Sequence, residues 1–305
     1  MTDLPDSWVP PAATVWWFSG LRNIDLPTAE LKLTEDFSLM KPNEQILSAR
    51  RKSQMNEREF DEAASIGAYL VLKETQPLVQ SEQRDESLAD FQNGLMAFQI
   101  IKPVQTLGFT FQGCTMRGPA FSLERIICRP PMDAGAWARM RMFDDVFLAK
   151  VPDMIARVRA VMRGTNTEDK NSIIFLQLAL EQIHPLIAGL LCVMGLEARF
   201  DSGDNKEFKK KLCKCLGAST KVFPDWNSPT FPQPKHTVEE IAIPLYVLRS
   251  KLAHGVDLRK ANTGPTPVDL VAKVELIPEL EPRSNALLLS EAAKYLLCQV
   301  LAKSI

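Results

Sequence analysis

Residues 242–255 read AIPLYVLRSKLAHG, and the reading of this stretch decides how the second half of the chain is understood. It is an apolar segment expected to form a helix that runs to about Ala253 and ends on Arg249, Ser250, His254 and Gly255. Thr237 precedes it, with Glu239 and Glu240 following, which makes an N-cap with acidic residues in the first turn. At the other end, unsatisfied carbonyls and the helix dipole favour a cationic histidine, so His254 is poised near neutral pH as a proton donor or acceptor. Ser250 lies four residues earlier on the same face. Arg249 lies five earlier, about 140° round an ideal helix, within reach of the same cleft for a long side chain. Its fork-shaped permanent charge suits phosphate. A histidine and an arginine together are a minimal apparatus for cleaving RNA without a metal. A base takes the 2′-hydroxyl proton, an acid supplies the leaving oxygen, and the arginine steadies charge on the phosphoryl oxygens. The same pair also serves in many helices as a plain C-terminal cap.

Nothing else in the chain competes with this stretch as a site of chemistry. The first 138 residues contain no histidine, no G-x-G-x-x-G, no G-x-x-x-x-G-K-[ST], no G-x-S-x-G and no H-E-x-x-H. The three histidines, His184, His236 and His254, are too far apart in sequence to match a metal-ligand spacing. His184 reads as a structural histidine on an apolar helix, and His236 sits in a proline-rich loop. Cys213-Lys-Cys215 has no second pair at metal-ligand spacing, so no metal site and no cofactor are expected. The remaining cysteines, Cys114, Cys128, Cys192 and Cys298, read with these two as reduced, mostly buried thiols of a cytoplasmic protein. The N-terminal MTDLPDSWVPP lacks the basic region of a secretory signal, and no apolar run reaches the ~18 residues that a membrane span needs.

Working outward, the chain changes character once. With 305 residues it has room for two domains and a sizeable core. Before Pro130–Pro131 the pattern is mixed. Residues 14–27 read as a strand or hairpin, 30–42 as holding a second strand, 49–62 as a solvated loop or exposed helix face in preference to a binding arm, and 63–73 as a buried strand. Residues 82–101 read as a helix, with short strands around Phe109/Phe111 and over 121–128. After that point nearly everything is helical. A long amphipathic helix over 137–162 is expected to bend at Pro152, and an apolar one over 172–196 to kink at Pro185. A basic helix spans 204–216, with Phe208, Leu212 and Cys215 inward and Lys206, Lys209, Lys210, Lys211 and Lys214 outward; Gly217 closes it. That lysine side is either a solvated face or a contact surface for phosphate groups. Beyond an irregular stretch comes the Arg249 helix, then a loop with a short strand at 269–277, and a last helix over 285–301. The expected fold class is therefore α+β, with a mixed α/β module at 1–133 and an all-α helical bundle at 137–305. Charge follows the same division. Residues 1–138 carry 13 Lys/Arg against 18 Asp/Glu, a balance of −5, and residues 139–305 carry 23 against 19, a balance of +4. A basic second half fits a polyanionic partner.

The sequence R-S-K-L-A-H-G at 249–255, preceded by LYVL, resembles the R-x4-6-H signature of the HEPN superfamily, and is most similar to its Apea-like branch. The order of elements is similar too: a first long kinked helix, an apolar helix containing Leu180-Glu181, a shorter basic helix, then the helix that carries the motif. The resemblance covers about residues 139–303 and does not extend to the first module, whose role it leaves unknown. It implies a helical bundle that dimerises with the two motif helices facing each other across a cleft. It also implies a metal-independent ribonuclease of a prokaryotic defence or toxin system, partnered by RNA, a second copy and a regulatory protein or antitoxin. By this resemblance His254 is the acid/base and Arg249 the phosphate-binding group. Ser250 stands where nuclease members often carry Asn, Asp or His. Lys206, Lys209, Lys210, Lys214 and Lys251 become the expected RNA contacts. The resemblance also leaves room for a non-catalytic module that binds a nucleotide or protein, since some members of the superfamily are inactive.

Overall fold

The computed structural model describes residues 12–22, 24, 26–42, 66–77, 81–115, 121–128, 132, 144–224, 236–253 and 282–305. The architecture is α+β. The chain divides into two compact units, neither of them continuous in sequence. The first comprises Met1–Leu95, Gln105–Pro131 and Met142–Ile155; the second comprises Met96–Val104, Met132–Arg141 and Ala156–Ile305. A single cut at 133–137 does not describe this division.

The first unit is built on a six-stranded antiparallel sheet. Its strands are β1 (Ala12–Leu21), β2 (Glu30–Lys32), β3 (Phe37–Met40), β4 (Ala68–Pro77), β5 (Thr106–Thr115) and β6 (Phe121–Cys128), in the order β2-β3-β4-β1-β5-β6. The aromatic and β-branched run TVWWFS makes β1 a central strand, paired on both sides. Trp17 stands opposite Leu72 and Gln112, and Leu72 opposite Phe37, so these side chains share one face. Helix α1 (Ser81–Ile101) packs on that face. The Trp17 indole N–H donates to the Ser87 hydroxyl at 2.9 Å, and that hydroxyl donates to Glu74 at 2.6 Å. Gly94 lies against the Phe37 ring, where a Cβ would come within 2.5 Å. The other face carries Phe18 stacked on Phe111, ring centroids 5.0 Å apart, with Tyr69 edge-on to Phe18.

Two expected kinks are helix starts instead. The chain from Asp144 onward forms α2 (Asp145–Leu148) and α3 (Val151–Arg163), and Pro152 falls in the first turn of α3. The apolar stretch is likewise two helices, α4 (Thr167–Leu180) and α5 (Pro185–Phe200), with Pro185 as the first residue of the second. A proline in a first turn loses no hydrogen bond, because that N–H has no partner in any helix, and its fixed φ already suits the turn. His184 is the exposed N-cap residue of α5 with no capping bond from its side chain; it is not a satisfied core histidine. Then follow α6 (Asn205–Leu216), α7 (Val238–Ala253) and α8 (Pro282–Ser304). Residues 137–143, the expected strand at 269–277 and the charged stretch at 49–62 lie outside the described residues.

Helices α5 and α8 pack closely in the second unit. Gly189 sits against Ser290 and Gly195 against Leu297, so small residues let the two backbones approach closely. Around them Leu176, Leu180, Leu196, Leu212, Leu245, Leu248, Leu289 and Leu296 are buried in one core.

Candidate functional site

The site is assembled by the direction in which four helices run. Arg199, in the last turn of α5, pairs at 2.8 Å with Asp169 in the first turn of α4, so these two helices are antiparallel. Past the end of α6, the Thr220 and Ala218 carbonyls accept from Val238 and Glu239 at the start of α7, while Phe208 in the first turn of α6 meets Tyr246 of α7. Helices α6 and α7 are therefore antiparallel as well. The N-termini of α4 and α6 thus gather with the C-termini of α5 and α7 at one end of the bundle.

Three of these ends, the starts of α4 and α6 and the end of α5, are capped by local chemistry. Asn166 accepts from the amides of Glu168 and Asp169 at the start of α4, and Asp204 from those of Lys206 and Glu207 at the start of α6. Asp201 takes a left-handed conformation (φ 45°) to end α5. At the far end, Gly217 (φ 95°) closes α6, and Thr237 donates twice to the Glu240 carboxylate at the start of α7. The Thr237 amide donates to Glu240 at 2.8 Å and its hydroxyl at 3.0 Å, so Glu240 is held below the usual carboxylate range.

Arg249 projects from the last turns of α7 into this assembly. Its Nε donates to Glu197 Oε2 of α5 at 2.8 Å, and its guanidinium carbon stands 5.8 Å from the centre of the Tyr246 ring, one helical turn back. That ring rests on Phe208 at 5.7 Å, and Phe208 on Phe200 at 6.4 Å. The guanidinium is therefore held on one edge by a carboxylate and flanked by the Tyr246 ring, which meets Phe208 at a tilt. No described residue bonds to Nη1 or Nη2. The side chain of Arg249 is 32% exposed and that of Glu197 only 12%. Burial pushes the Glu197 carboxyl above its ordinary value, against the opposing pull of Arg249. Ser250 is half-buried beside Arg249, about 100° further round the helix. His254 lies outside the described residues, as does the side chain of Lys251.

The other cations of α5 and α6 divide into two groups. Arg199 is taken up by Asp169 and Glu168, and Lys211 by Glu207 and by the Phe200 and Asp201 carbonyls. Lys209 is in an ion pair at 3.0 Å with Glu239 of α7. It ties α6 to α7. Lys206, Lys210 and Lys214, four residues apart, are exposed in one stripe along α6 with no ion-pair partner among the described residues. Sequence reasoning found the arginine and this stripe but missed Glu197 and Tyr246. Tyr246 lies inside the quoted stretch; Glu197 sits 52 residues from its partner, and no spacing rule joins them.

The four described thiols, Cys192, Cys213, Cys215 and Cys298, are free. Burial raises all of them, Cys298 to about 12, so none is a ready nucleophile near neutral pH. In the first unit, Asp36, Glu74 and Asp90 place one carboxylate oxygen each within 4.8 Å of one another, an oxygen set that could hold a hard cation such as Mg²⁺ or Ca²⁺. Ser87 donates to Glu74, and Thr34 to Asp36 at 2.6 Å. The members of this trio come from the turn before β3, from β4 and from α1.

No protein-family model, curated protein or solved structure matches the chain.

Proposed function

We propose that this protein is an endoribonuclease of the HEPN type that works without a metal, acts in a prokaryotic defence or toxin system, and completes its site in a dimer. One observation carries the reading. Among the described residues Arg249 is anchored through Nε alone, which leaves the Nη1–Nη2 edge of a part-exposed side chain, the edge that matches two phosphoryl oxygens, without a bond to any of them. The lysine stripe Lys206–Lys210–Lys214 begins at the same end of the bundle and supplies charge along which a phosphate backbone can lie.

In the proposed reaction His254 removes the 2′-hydroxyl proton, and the 2′-oxygen forms a bond to phosphorus. The bond from phosphorus to the 5′-oxygen breaks, and an acid, the same residue of a second copy in the facing-motif arrangement, protonates that oxygen. Arg249 holds the non-bridging oxygens as their charge grows. The products are a 2′,3′-cyclic phosphate and a 5′-hydroxyl, and no other reactant is consumed.

The test is incubation of purified protein with total RNA or transfer RNA, with and without EDTA. Wild type is expected to cleave equally in both. His254→Ala should be inactive with an unchanged melting curve, and Arg249→Ala should lose about 100-fold or more in kcat. Cleavage that disappears with the chelator removes the metal-free mechanism, and a stable monomer in sedimentation at micromolar concentration removes the facing-motif site. A second reading, a non-catalytic module that binds a nucleotide or protein, is favoured by the Glu197 carboxylate, which offsets part of the Arg249 charge. RNA left intact by wild type would select it.

A further inference from the structure

We infer that Glu197 is the positioning residue of this site. It takes the Nε edge of Arg249 so that the guanidinium presents its Nη1–Nη2 edge, in one orientation, to a phosphate group of the RNA backbone. The inference rests on the ribonuclease reading for its catalytic readout and on phosphate binding alone for its second readout. Three features of the geometry support it. The contact is a single bond through Nε at 2.8 Å, whereas a purely structural arginine–carboxylate pair gains most from two parallel bonds. The carboxylate belongs to the last turn of α5 and is nearly buried, so its own freedom is small and the direction it imposes is fixed by the fold. The guanidinium is flanked on a further side by Tyr246, which Phe208, itself edge-on to Phe200, packs against in turn. A long arginine side chain on a helix end otherwise samples many rotamers, and ordering it beforehand removes that cost from the reaction. Glu197 touches no reacting atom in this scheme and acts through Arg249.

The experiment is a double-mutant cycle on the full chain with Glu197→Ala, Glu197→Gln, Arg249→Ala and the Glu197→Ala/Arg249→Ala pair. Two quantities are measured: kcat and KM for an oligoribonucleotide, and the affinity for a 2′-O-methyl oligonucleotide of the same sequence, which cannot be cleaved. Glu197→Ala is expected to lower kcat about tenfold or more without a matching rise in KM. Glu197→Gln, which still accepts from Nε, should recover most of that loss. In the Arg249→Ala background, Glu197→Ala should cost nothing further. A loss in that background as large as in wild type would overturn the proposal, because Glu197 would then act independently of the arginine. So would a glutamine variant as poor as the alanine one. If wild type cleaves no RNA, the ribonuclease reading fails while this one is still decided by the uncleavable probe. Binding that falls with Arg249→Ala, and with Glu197→Ala only when Arg249 is present, supports it. Binding indifferent to Arg249 sinks both.

Discussion

Arg249 is 32% exposed, and the Glu197 side chain that holds it only 12%. This difference makes Glu197 the most informative single residue of the second unit. Its carboxyl is lifted above 4.5 by burial, with the attraction of Arg249 offsetting only part of the effect. A carboxylate whose folded pKa is raised binds more protons in the folded state than in the unfolded one, so the stability it contributes falls as pH rises through the interval above 4.5. Glu197→Gln removes that titration. The Tm of wild type minus that of Glu197→Gln is therefore expected to shift against wild type as the pH is raised through this window. Asp169, also lifted by burial, is common to both proteins and drops out of the difference. A difference that grows with pH would mean that the ion pair with Arg249 outweighs burial.

Helix α5 owes its place to small residues rather than to its apolar surface alone. At Gly189 an added Cβ would lie 2.6–2.9 Å from the Oγ, Cβ and Cα of Ser290, atoms tied to the backbone of α8. At Gly195 the closest atom would be Cδ2 of Leu297 at 2.8 Å, the far end of a side chain that can change rotamer. Alanine should therefore cost about 1–3 kcal/mol at Gly189, by overpacking, and measurably less at Gly195. Urea denaturation of the two variants side by side checks the order. Equal costs would mean that α5 and α8 shift apart as rigid rods. The chain itself shows why α5 was expected to continue α4. The apolar pattern runs through from Ser172 to Leu196, and periodicity does not report where a chain leaves the helix. Pro185 marked the break, but a proline reads alike as a kink and as a first residue until the residues before it are seen to leave the helix, as Glu181–His184 do.

At the scale of the molecule, the second compact unit begins before the sequence suggests it should. Met96–Val104 belongs to it, and within that segment Met96, Phe98 and Ile100 are buried. The side chain of Gln99 closes a ring with the backbone of Val104, donating to its carbonyl at 2.8 Å and accepting from its amide at 3.0 Å, while the Gln99 carbonyl accepts from the Cys298 thiol of α8. A fragment of residues 137–305, cut at the expected boundary, discards these contacts. It should be less stable than the bundle in the full chain by about 3 kcal/mol or more, the equivalent of losing two buried apolar side chains. Thermal melting of the fragment against the full chain measures this, and a fragment that melts with the full chain would show that the segment adds nothing to the bundle.

The α+β class, the strands around TVWWFS and 121–128, the basic helix with its Asp204 and Gly217 ends, and the Arg249 helix with its Thr237 cap were legible in the chain, because each follows from residues within a few positions of one another. Periodicity, caps and turn residues act over one or two helical turns, and a single sequence displays them completely. Three things waited for the fold. The division into units follows burial, and burial joins Gln99 to Cys298 across 199 positions. The antiparallel courses of α4 against α5 and of α6 against α7 bring four helix ends together, although nothing local to any of them says so. The partner of Arg249 is chosen by the register of α5 against α7, which large numbers of weak apolar contacts set collectively. Residues 242–255 thus determined which side chains were available for chemistry, and the tertiary structure decided that the arginine among them is held from one edge by Glu197, because only packing can place a carboxylate from another helix 2.8 Å from its Nε.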